Sequence, residues 1–76
     1  MAMKPEQSRA ARGWLGMTQG GLAEAANVGL STVKDFEAGK RKPFGNNLIA
    51  LRKALEDRGI AFTENGLTGP IVDRTG

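Results

Sequence analysis

The sequence predicts an all-α domain: four helices followed by a short C-terminal β hairpin. Three observations carry this expectation. Helix start and stop signals recur four times between Pro5 and Gly59. Leucines at 48, 51 and 55 repeat at i, i+3, i+7, the spacing of one helix face. After Gly59 the pattern changes to short apolar pieces around Asn65-Gly66, a strong hairpin turn signal.

The first helix is expected from Pro5 to about Leu15, because proline suits the first helical position, where its missing N–H goes unneeded. Glu6 complements the positive helix end, and Gly16 is a natural stop. Thr18 reads as the N-cap of a second helix, Gln19 to Ala26, whose first turn tolerates Gly20 and Gly21. Asn27-Val28-Gly29 is a three-residue turn, with Asn27 suited to the left-handed backbone region. A third helix then spans Leu30 to Ala38 and stops at Gly39. Lys40-Arg41-Lys42-Pro43 is a basic loop, and a fourth helix runs from Gly45 to Arg58. Ile60 to Thr63 is strand-like, and Ile71-Val72 after Pro70 is the expected second strand. Trp14, the only tryptophan, is assigned to core packing or a subunit contact.

Seventy-six residues make one small domain, whose core buries only about 60% of the unfolded surface. Small domains of this kind often lean on a metal, a disulfide or a partner subunit. With no cysteine and no histidine, disulfides, thiolate metal sites and histidine-based acid–base chemistry are all excluded. No metal, cofactor, small-molecule ligand or enzymatic activity is therefore expected, and self-association is. No apolar run approaches a membrane span, and the polar start does not read as a signal peptide. The expected location is the cytoplasm.

Net charge is +3, but unevenly placed. Residues 4–53 carry nine Lys/Arg against four Asp/Glu, whereas residues 54–76 carry two against four. The first two-thirds can face a polyanion, and the tail is unsuited to one. Two short helices joined by a three-residue turn form the core of a helix-turn-helix. Stepping about 100° per residue from Leu30 places Val33 and Phe36 together on one face of the third helix. Ser31, Lys34, Asp35 and Ala38 fall on the other. An apolar back with small or polar front residues suits a helix lying in a major groove.

The stretch from Thr18-Gln19 through Leu22-Ala23, the Asn27-Val28-Gly29 turn and Glu37-Ala38-Gly39 resembles the helix-turn-helix of Cro/CI-type phage repressors, the XRE family. The resemblance extends from Pro5 to Leu55 through the basic loop and closing helix. It implies a lambda-repressor-like domain over residues 1–59, with the helix-turn-helix at 18–38 and a dimerising extension at 60–76. The implied function is sequence-specific binding of double-stranded DNA by a homodimer on a palindromic operator, most simply as a bacterial, nucleoid-associated repressor. An antitoxin or other protein-interaction module on the same fold is the alternative.

The sequence departs from the family pattern at Asn27 for the turn glycine, at Gly29 for a capping Ser or Thr, and at Leu30-Ser31 for long polar readers. Base-edge contacts are expected from Leu30, Ser31, Lys34 and Asp35, whose groups match a thymine methyl, mixed edges, guanine acceptors and a cytosine donor respectively. Phosphate contacts are expected from Gln19 and Thr32, from Lys40, Arg41 and Lys42, and from Asn46 and Asn47. The resemblance also implies an ion pair between Arg12 and Glu37 that orients the helices. Ile60, Phe62, Ile71 and Val72 are the expected dimer interface.

Overall fold

The computed structural model describes residues 2–71. In chain order it contains α1 (Pro5–Leu15), α2 (Gln19–Ala26), α3 (Leu30–Glu37), α4 (Gly45–Glu56), β1 (Ala61–Phe62) and β2 (Leu67–Thr68). Backbone groups left over at the ends of α1 and α2 are met locally. Thr18 Oγ1 accepts from the Gly21 N–H at 2.9 Å, and the Gln7 side chain accepts from the Lys4 N–H at 2.9 Å. Gly16 (φ 67°) and Asn27 (φ 56°) close α1 and α2 in the left-handed region. That conformation lets the cap N–H of Asn27 reach back to the carbonyls of Ala23 and Glu24, so the turn into α3 is tight.

Leu22, Val33, Leu51 and Leu55 are fully buried and form the centre of the core, with Ala11, Phe36, Leu48 and Ile60 around them. α2 packs on both α3 and α4, and α1 on α3. Two helices end earlier than the sequence suggests. α3 stops at Glu37 with Ala38 as its cap, and α4 stops at Glu56 with Asp57 as its cap. Among the described residues no helix is long and apolar enough to cross a membrane.

The hairpin corrects the expected second strand. β1 pairs antiparallel with β2, Ala61 opposite Thr68 and Phe62 opposite Leu67. The pairing follows from the turn. Thr63 N–H donates to the Gly66 carbonyl at 3.0 Å and Gly66 N–H to Thr63 Oγ1 at 3.0 Å, so the chain reverses at once and pairs with what comes next. Pro70 has no N–H for a ladder, and Ile71 lies outside any strand, with its side chain fully exposed. Val72 lies outside the described residues.

A lone hairpin is marginal in water, and α1 supplies what this one lacks. The buried Gln7 amide donates to the Thr63 and Gly66 carbonyls at 2.8 and 2.9 Å. Trp14 Nε1 donates to the Pro70 carbonyl at 2.8 Å. Gly69 lies so close under the indole that a Cβ there would stand 2.5 Å from Nε1. Trp14 thus clips the chain after β2 onto α1, and at 43% exposure it is not a core residue.

Candidate nucleic-acid interface

α3 is held from behind. Val33, Phe36 and Glu37 are buried on its inner face. Burying a carboxylate is costly unless it is fully paired, and Glu37 is paired several times over. Arg12 Nη2 lies 2.6 Å from Glu37 Oε1, and Arg12 Nε 2.8 Å from Oε2. Ser8 Oγ donates to Oε2 at 2.6 Å, and Gln19 Nε2 to Oε1 at 3.1 Å. Burial pushes the Glu37 carboxyl up, but the hydrogen bonds from Arg12, Ser8 and Gln19 outweigh it and leave it below its ordinary value. The Arg12 guanidinium is pushed up, first by its hydrogen bond to Glu37 and against the effect of burial. Arg12 also donates to the Met17 carbonyl at 3.1 Å, and Arg9 donates to the Glu37 carbonyl at the end of α3. One buried carboxylate therefore joins α1, α2 and α3 and fixes the angle of the helix-turn-helix.

The outer face of α3 is open. Ser31 and Lys34 are exposed, Leu30 is 42% exposed, and Thr32 and Asp35 are half-buried. Ser31, Thr32 and Asp35 line a cleft of about 270 Å³ together with Arg41, Lys42 and Asn47. The structure thus brings two of the expected base-edge residues, Ser31 and Asp35, together with four of the expected phosphate-binding residues, Thr32, Arg41, Lys42 and Asn47. Leu30, Lys34, Lys40 and Asn46 lie outside this cleft, and Gln19 is engaged with Glu37.

A helix-turn-helix family model, HTH_3, matches residues 9–60, more than half of the chain. The chain belongs to this helix-turn-helix family. It is a DNA-binding transcriptional regulator of the XRE, Cro/CI-type group. No curated protein matches the chain. In this HTH_3 protein the match ends at Ile60, which sits in the core at 3% exposure. Ile60, one of the residues expected at a dimer interface, is thus packed in the core of its own chain. Phe62 is half-buried against the same core, with the Arg52 guanidinium 5.4 Å above its ring. Of the three expected interface residues that lie among the described residues, Ile71 is the one left fully exposed.

Several residues of this arrangement escape sequence reasoning. Ser8 and Arg9 have no special spacing, and only the packing of α1 on α3 brings them to Glu37. Phe44 is another residue that the sequence analysis does not single out. It stands four residues before Leu48, in register with the buried stripe, yet it is 83% exposed. It precedes α4 as its N-cap with extended backbone (φ −55°, ψ 149°), so helical geometry does not carry its ring inward.

Proposed function

We propose that this regulator binds duplex DNA sequence-specifically, with α3 in the major groove, and acts as a repressor on a two-fold symmetric operator. The observation that carries the reading is the pairing of an α3 held from behind by Glu37 with an open, mixed polar front that shares a cleft with Arg41 and Lys42. Ser31, Lys34, Asp35 and Leu30 face base edges. Thr32, Lys40, Arg41, Lys42, Asn46 and Asn47 hold the phosphates on one side, and Gln19, through its helix N-terminus, holds them on the other. Asp35 repels phosphate and selects by exclusion as well as by contact.

One such unit makes few base contacts, and a two-fold dimer doubles them. Ile71 supports a dimer, being fully exposed next to Pro70, whose carbonyl Trp14 holds. Residues 60–71 serve first as a brace on α1 and second as the platform for that contact.

Selection of bound duplexes from a random pool tests the proposal. The expected product is an inverted repeat whose half-sites are about 34 Å apart, one turn of B-DNA. Enrichment of single, unrepeated sites contradicts the dimer, and enrichment of no sequence contradicts specific binding. Light scattering on Ile71→Asp supplies the matching test of assembly. Truncation after Gly59 is unsuitable for this purpose, because it removes Ile60 from the core.

A further inference from the structure

Resting on the DNA-binding reading above, we infer that Phe44 is a specificity-determining residue of the interface, pressing its ring on the C5-methyl of a thymine at the edge of the half-site. Phe44 is 83% exposed on a domain too small to spare apolar surface, and an unburied phenylalanine forgoes a large hydrophobic gain. It is not loosely held. Its carbonyl accepts from the N–H groups of Asn47 and Leu48 at 2.9 and 3.0 Å, and Pro43 restricts the chain before it. The ring is thus presented outward from a fixed backbone.

Its surroundings choose the occupant. Phe44 lines the same cleft as Ser31 and Asp35 of α3 and as Arg41 and Lys42 of the basic loop. Polar α3 groups suit base edges, and the two cations suit the phosphodiester that borders them. Between a base edge and its own backbone, the major groove presents one apolar group, the thymine methyl, and phenylalanine is among the side chains that contact it. Pro43 and Phe44 are the apolar residues among those lining this cleft, and Phe44 is the large one, 83% exposed. Ile49, also exposed at 68%, does not line the cleft and serves as the control.

The test uses the full chain and the duplex enriched from the random pool, with each thymine replaced in turn by deoxyuridine, which lacks only the methyl. For the wild type, replacement at one thymine of the half-site lowers affinity about fourfold, the share of one buried carbon. Phe44→Ala binds the thymine duplex correspondingly less well and shows no penalty at that position, whereas Ile49→Ala keeps the wild-type profile. Thermal melts of Phe44→Ala coincide with the wild type because the ring is outside the core. An identical deoxyuridine profile in wild type and Phe44→Ala overturns the inference, as does a loss of affinity that no thymine position shares, which assigns the ring to deoxyribose. Unchanged binding by Phe44→Ala overturns it too. A wild-type chain that enriches no duplex is a distinct result, which defeats the DNA-binding reading itself and this inference with it.

Discussion

The two faces of α3 are eight residues of one helix under opposite physical rules. Inward, Val33 and Phe36 fill the core and Glu37 is matched by Arg12, Ser8 and Gln19, so that no polar side-chain atom buried among the described residues lacks a partner. Outward, Leu30, Ser31 and Lys34 are exposed beside a basic loop. The inner face determines whether there is a fold and at what angle α3 stands. The outer face can vary without unfolding anything, which is what a surface that reads DNA needs. Substitutions on the two faces should therefore separate stability from binding.

The largest effect belongs to the inner face. Glu37→Ala leaves the Arg12 guanidinium, itself only 17% exposed, without its carboxylate, and loss of one partner of a buried pair costs about 3–5 kcal/mol. A domain of marginal stability should then be largely unfolded, as urea titration followed by circular dichroism will show. A variant that keeps the wild-type midpoint breaks the comparison at its root. The same pair sets a pH dependence. The Glu37 carboxyl is lowered in the fold, so its contribution is fully present above its ordinary value of 4.5 and is lost as pH falls below that through the lowered value. In Glu37→Gln that acid limb is expected to flatten, and a limb of unchanged depth would place the acid sensitivity in other carboxylates.

On the outer face, Lys34→Ala is expected to leave the melting curve unchanged and to relax preference at one base position, at about 1–3 kcal/mol of binding. The readout is the relative affinity for single-base variants of the selected duplex, and equal penalties in both proteins remove Lys34 from base reading. Smaller still is Arg41→Ala. It should weaken binding to all sequences alike and reduce the salt slope by about one unit. An unchanged slope takes the basic loop out of the interface.

Most of the helical framework was legible in the sequence because local chemistry decides it. Pro5, Thr18 and Asn27 start and stop elements through their own side chains and dihedral preferences, and Leu48, Leu51 and Leu55 mark a face by spacing alone. The hairpin partner was misplaced because apolar character at Ile71 competed with turn geometry at Asn65-Gly66, and turn geometry prevailed. The fate of Ile60 was hidden for a different reason: an apolar residue after the last helix can close its own core or meet another chain, and only the packing of Leu55 and its neighbours decides. The bonds from Gln7 to Thr63 and Gly66 span more than fifty residues, and no local pattern reports them.

The comparison between the two faces is tested most directly by titrating the isotope-labelled chain with its selected duplex and following backbone amide resonances. The expected changes concentrate in the residues around Leu30 to Asp35, in the loop from Lys40 to Asn47, and at the start of α2 near Gln19, while the α1 and hairpin surface around Glu6 and Leu67 stays at its free positions. Changes centred on that opposite surface, with α3 and the basic loop unmoved, would contradict the assignment of the outer face of α3 to DNA.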